Sequence, residues 1–187
     1  EKIGGRSVKP YQPAGYWRHL NFPSRKWSHD NNENQYRRGL YTHWQRSFLH
    51  PSLLAFDAPS REECTAERPR SNTPLQALIL LNDLTYVEAA RSFAERIIKE
   101  GGADTNARIN WALNTALSRE GTEQEINILS KLRTQQNNRY KEDIEAAKAF
   151  NQTGIKLPPV NIDPTELASW TSVARTILNL HETITRH

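Results

Sequence analysis

Four helix-start signatures, spread over residues 73–187 and mostly followed by apolar residues at helical spacing, limit what this chain can fold into. Thr73-Pro74 pairs a side-chain cap with a proline at the first helical position, where its missing N–H costs nothing. Leu75, Leu78 and Ile79 are the apolar stripe expected behind it. Asp83 is placed to cap a second helix, in which Val87, Ala90, Ala94, Ile97 and Ile98 share a face and Gly101-Gly102 ends the run. Ile109, Ala112, Leu113, Ala116 and Leu117 mark a third. Thr122-Glu123-Gln124-Glu125 is a capping box. It opens a helix bearing Ile126, Leu129 and Leu132 that is expected to continue toward Phe150. Residues 154–163, with Pro158-Pro159, read as a loop. Asp163-Pro164-Thr165-Glu166 then starts a last helix facing the core through Leu167, Trp170, Thr171, Ala174, Ile177 and Leu178. The expected fold is mainly α, a helical bundle of four to five helices over residues 73–187.

Residues 1–72 have another texture. They hold 10 of the 16 aromatic residues, four of the six His and six of the ten Pro, with no sustained helical period. A loop-rich, aromatic-anchored segment packing on the bundle is expected, so that 1–72 and 73–187 share one structural domain. One helix is expected between Glu33 and Phe48, where Tyr36, Leu40, Tyr41 and Trp44 fall at helical spacing, with Pro51 ending it. The absence of Met and the start at Glu1 read as a piece truncated from a larger protein.

Bulk properties remove several function classes. The longest apolar stretch, residues 77–81, is far below the roughly 20 residues of a membrane-spanning helix, so no membrane span is expected. The single Cys64 excludes an intrachain disulfide, a cysteine-based zinc site and a Cys-x-x-Cys-His haem attachment in this chain. No nucleophile elbow, phosphate-binding glycine loop or dinucleotide fingerprint is present. The net charge of +4 is uneven: residues 1–72 carry 12 Lys/Arg against 7 Asp/Glu, and the remainder 13 against 14. The basic excess in the front favours an acidic partner. Nucleic acid is not the expected one, because the excess is modest and no recognised motif accompanies it.

The densest polar stretch covers residues 57–76. Arg61, Arg68 and Arg70 come just ahead of the helix start formed by Asn72, Thr73 and Gln76, with Asp57 as a candidate acid. Free amides at a helix N-terminus attract anions and guanidiniums add bidentate donors, so one reading is a pocket for a sulfate, carboxylate or uronate. The reading given more weight is internal. The arginines pair with Asp57, Glu62, Glu63 and Glu67, while Asn72 and Gln76 tie loops to backbone. Arg37 and Arg38 beside Tyr36, Tyr41 and Trp44 offer an aromatic, basic surface for sugar rings, against the alternative of core packing under arginine stems. Among His19, His29, His43, His50, Asp30 and Glu33, the one helix-compatible ligand spacing is His29 with Glu33, so no metal site is expected. Cys64 has no histidine near it in sequence and is read as a buried structural thiol. Asp57 can be paired on paper with Glu62 or Glu63 for glycoside hydrolysis, but sequence does not set their separation.

Tyr36-Arg37-Arg38-Gly39-Leu40-Tyr41-Thr42-His43-Trp44-Gln45-Arg46 resembles a known family. So do Phe56-Asp57-Ala58-Pro59-Ser60-Arg61-Glu62-Glu63-Cys64-Thr65, the Asn72-Thr73-Pro74-Leu75-Gln76-Ala77-Leu78 run, the opening Gly4-Gly5-Arg6-Ser7-Val8-Lys9-Pro10-Tyr11-Gln12-Pro13, and Glu166-Leu167-Ala168-Ser169-Trp170 with Leu178-Asn179-Leu180-His181-Glu182-Thr183. The family is the planctomycete-specific domain of unknown function found C-terminal to planctomycete cytochrome c domains, and the chain is similar to the C-terminal portion of that domain. His43, Gly39 and His181 stand where Phe, Ser and Asp are usual, and the last puts an acidic role there in doubt. The resemblance implies an exported, periplasmic or cell-surface multidomain protein whose haem c sits in a separate domain and whose first partner is the rest of its own polypeptide. It suggests action on complex polysaccharide. Two functions are therefore carried forward: a scaffold or ligand-binding module, and part of an oxidoreductase or lyase acting on complex or sulfated polysaccharide. For the second, Asp57, Arg61, Arg68, Arg70 and Gln76 are the residues to test.

Overall fold

The computed structural model describes residues 2–16, 26–45, 48–60, 63–67 and 69–185. The chain divides into two compact units, Glu1–Ser71 and Asn72–His187. Among the described residues the regular elements are helices, accompanied by two isolated bridges, Val8 with Thr42 and Gln45 with Phe48.

The front unit is organised by side chains that reach backbone far away in sequence. Val8 N–H donates to the Tyr41 carbonyl at 2.8 Å and His43 N–H to the Val8 carbonyl at 2.7 Å, which lays Val8 in a parallel bridge beside Thr42. Trp27 Nε1 donates to the Pro10 carbonyl at 3.0 Å, and Gln35 Oε1 accepts from Tyr11 N–H at 2.7 Å. The expected helix between Glu33 and Phe48 is replaced by two short 3-10 turns, Glu33–Tyr36 and Gly39–Tyr41. Gly39 weakens a helix there, and the pairing of Thr42 and His43 with Val8 draws the chain into extended form. Pro51 does not end a helix but opens one, α1 (Pro51–Ala55), with His50 as its cap.

The second unit is all-α, as its patterning demands. Its helices are α2 (Pro74–Asn82), α3 (Leu84–Glu100), α4 (Thr105–Leu117), α5 (Glu123–Glu142), α6 (Ile144–Asn151), α7 (Pro164–Leu178) and the short α8 (His181–Ile184). The expected starts are all made: Thr73 and Thr122 form complete capping boxes, and Asp83 and Asp163 accept from Thr85 N–H and Glu166 N–H. Among the described residues there are seven helices rather than four to five. One reason is that Asp143, at φ −133° and ψ 82°, breaks the run after Glu142 and caps α6 by accepting from Ala146 N–H at 2.9 Å.

α7 lies at the centre, against α3, α5 and α6. Ile97, Ile109, Leu113, Trp170, Val173 and Ile177 are fully buried around it, each side chain worth about 1.5–3 kcal/mol of burial. The hydroxyls of α7 cause no penalty, because Ser169, Thr171, Ser172 and Thr176 each donate to a carbonyl one turn earlier. The α2 stripe differs from expectation: Leu75 and Leu78 are 59% and 56% exposed, while Gln76 is buried. α2 is apolar almost all round, so periodicity does not single out one face. The capping box turns Gln76 inward instead.

Candidate functional site

Asp57 lies in the front unit at φ +58°, a left-handed backbone that Asp tolerates better than most residues. Its carboxylate accepts from Ser71 N–H at 2.8 Å and from the Ser71 hydroxyl at 2.7 Å. It thus clasps the two ends of the segment that carries the arginines. Arg61 and Arg68 lie outside the described residues, and Arg70 is exposed. Cys64 is exposed rather than a buried structural thiol. Its neighbours Glu63, Thr65, Ala66 and Glu67 are exposed as well.

At the start of the second unit the polar residues serve the helix. Gln76 Oε1 accepts from Thr73 N–H at 3.0 Å and Thr73 Oγ1 accepts from Gln76 N–H at 3.3 Å, which satisfies two donors that otherwise have no intrahelical partner. Asn72 Nδ2 donates to His181 Nδ1 at 2.7 Å, tying the approach to α2 to the start of α8. Gln76 thus ties to backbone, as the internal reading has it, whereas the partner of Asn72 is a side chain.

The aromatic, basic surface is used in part within the front unit. The Arg37 guanidinium lies over the Tyr41 ring at 3.9 Å and donates to the Gly4 carbonyl at 2.6 Å, while Gly4 N–H donates to Tyr41 Oη at 2.8 Å. The pair therefore holds both backbone polar groups of Gly4. Arg38 is exposed and precedes the second 3-10 turn, and Trp44 is half-buried. His50 also has an internal task. Its Nδ1 accepts from Ser52 N–H at 3.2 Å, so the ring proton must sit on Nε2, which then donates to the Tyr11 carbonyl at 2.8 Å. Among the described residues no group of three or more His, Cys, Asp or Glu is arranged to hold a metal.

The bundle contains two polar clusters that sequence reading missed. On α3, Glu88, Arg91 and Glu95 are buried at 3%, 1% and 7% exposure. Glu88 accepts from Ile155 N–H and Lys156 N–H at 2.8 Å each, and Arg91 donates to the carbonyls of Asn151 and Lys156. Lys156 Nζ reaches Glu95 at 3.3 Å. The i, i+3, i+4 spacing of alternating charge was visible, but it equally describes a solvated helix face. In the second cluster, Arg119 makes paired bonds to Glu125 at 2.7 and 3.0 Å and to Glu182 at 2.8 and 3.1 Å. The Arg119 guanidinium, helped by Thr122 N–H, holds the Glu125 carboxyl at a pKa of about 2.

The family model PSD1, described as a protein of unknown function (DUF1553), matches residues 1–133. The match takes in the whole front unit and runs on into α5, and the closing Glu166–Thr183 stretch lies beyond it. No curated protein and no solved structure matches the chain. With well over half of its length matched, the chain belongs to the planctomycete-associated PSD1 family.

Proposed function

We propose that this chain is a scaffold or ligand-binding module of an exported, multidomain bacterial protein, with haem c carried on a separate domain and the rest of the polypeptide as its first partner. The observation that carries the reading is the internal use of the candidate polar residues: Asp57 clasps Ser71, Gln76 closes the cap of α2, and Arg37 with Tyr41 grips Gly4. Groups so engaged hold shape, and a reaction would first have to release them. The exposed Arg70 and Arg38, in a front unit with excess positive charge, suit an anionic glycan. A second reading, part of an oxidoreductase or lyase on complex or sulfated polysaccharide, draws on the left-handed backbone at Asp57, since unusual φ is found at functional sites.

The deciding experiment uses the longest natural polypeptide containing this chain, screened against sulfated and uronate glycans for both binding and turnover. The module reading expects glycan binding, weakened several-fold by Arg70→Ala and Arg38→Ala, with no turnover. Turnover abolished by Asp57→Asn, in a variant whose far-UV spectrum and melting are unchanged, would replace it with the enzyme reading.

A further inference from the structure

Arg175, on α7, is a half-buried cation without a carboxylate partner. Among the described residues its guanidinium makes one hydrogen bond, to the Leu81 carbonyl near the end of α2, and no ion pair. Its Nε is buried with no acceptor. An arginine carries five N–H donors, so most of its bonding capacity stands unused. Other arginines of the bundle are answered in full. Arg91 lies between Glu88 and Glu95, Arg96 reaches Glu100, Arg108 reaches Glu166, and Arg119 reaches both Glu125 and Glu182. Burial pushes the Arg175 guanidinium below its ordinary value, opposed by Tyr140 and by no carboxylate among the described residues. The carbonyl end of α2 offers only about half a unit of negative charge, short of what a buried cation calls for.

Two aromatic rings stand beside this cation. The guanidinium carbon lies 5.4 Å from the centre of the Phe150 ring. Phe150 in turn stacks with Tyr140, the ring centres 6.0 Å apart and the planes within 11°. Neither ring belongs to the apolar core gathered round Trp170, and Tyr140, Phe150 and Arg175 are all half-buried, so the cluster reaches the surface of the bundle. The Tyr140 hydroxyl makes no hydrogen bond among the described residues. We propose that Arg175, Tyr140 and Phe150 form a binding site for an acidic sugar. The carboxylate of a uronate accepts from the guanidinium, the Tyr140 hydroxyl bonds a sugar hydroxyl, and the apolar face of the sugar lies along the aromatic pair. A neutral sugar would leave the cation unanswered, and an inorganic anion or an acidic peptide would leave the phenol and the ring faces unused. The site lies in the second unit and stands apart from the glycan contacts proposed for Arg38 and Arg70.

The test is an isotope-labelled sample of the 187-residue chain, titrated at constant ionic strength with sodium glucuronate, glucose, sodium sulfate and tetraglutamate. Glucuronate should shift the Arg175 Nε–H and the ring signals of Tyr140 and Phe150 saturably, with a Kd below about 10 mM. It should bind at least ~10-fold more tightly than each of the other three. Arg175→Gln should weaken it at least ~10-fold, and Tyr140→Phe, which keeps the ring, ~3-fold. The paired change Arg38→Ala, Arg70→Ala should leave the affinity as it was. No saturable shift, equal binding of glucose, sulfate or tetraglutamate, indifference to Tyr140→Phe, or loss of binding with the Arg38 and Arg70 pair would each overturn the proposal.

Discussion

In the front unit the described buried side chains are Gln12, Gln35, Thr42 and His50 beside Val8 and Leu49, whereas the bundle buries Ile97, Ile109, Leu113, Leu167, Trp170, Val173 and Ile177. In the first set Gln35 and His50 are held by directional bonds to the backbone of Tyr11, while the second set is held by removal of apolar surface from water. The energetics differ accordingly. A hydrogen bond contributes a net ~1 kcal/mol but is costly to leave half-made, while apolar burial grows with area and tolerates small shifts. A segment built like the front unit keeps an irregular path only while each donor finds its acceptor. A bundle built like the second keeps its shape through many interchangeable contacts.

Four measurements can break or sharpen this contrast. Trp170 is fully buried, with the guanidiniums of Arg108 and Arg133 at 5.8 and 5.7 Å from its ring. Trp170→Ala should cost the bundle about 4 kcal/mol, read from its urea midpoint, and a loss under ~1 kcal/mol would mean that the core is not centred on α7. Glu88→Ala strips two backbone donors of their acceptor and leaves Arg91 short of one of its two carboxylates. The expected loss is about 3 kcal/mol, with fast amide exchange at Ile155 and Lys156. In the front unit, His50→Ala removes a helix cap and the bond to Tyr11 at once. It should cost about 1–2 kcal/mol and speed exchange at Ser52, and an unaffected Ser52 amide would contradict the tautomer derived above.

The smallest effect is the acid limb of the Arg119 cluster. Glu125 is held near pKa 2 against an ordinary 4.5, so its contribution is complete above about 4.5 and is lost as pH falls through about 2. The side chain is 30% exposed, and screening reduces the contribution to roughly 1 kcal/mol. Stability curves of the native chain and Glu125→Gln should therefore differ at neutral pH and converge toward pH 2. Parallel curves would show that the pairing adds nothing.

Local signals were legible in the sequence and distant ones were not. Thr73, Asp83, Thr122 and Asp163 announce helix starts because a cap acts on amides two or three residues away. The stripes of α4 and α7 were equally plain, since one period fits them and no other. Leu75 and Leu78 misled because an almost uniformly apolar helix carries no directional information. The front unit offered no period, and its path follows from pairings such as Tyr11 with Gln35 and His50, 24 and 39 residues apart. The same holds for the site. Gln76 could be read as a tie to backbone from its neighbours alone. The grip of Glu88 and Arg91 on a segment 60 or more residues away could not.

The self-bonded hydroxyls of α7 make the bundle's centre strict in one respect and lenient in another. Ser169 and Thr171 are buried yet ask nothing of neighbouring helices, since each hydroxyl is satisfied on its own helix. Exchange for alanine or valine would leave no orphaned group across the interface, whereas leucine or phenylalanine would overpack it. A randomised library at these two positions should accordingly return survivors sorted by volume and indifferent to polarity.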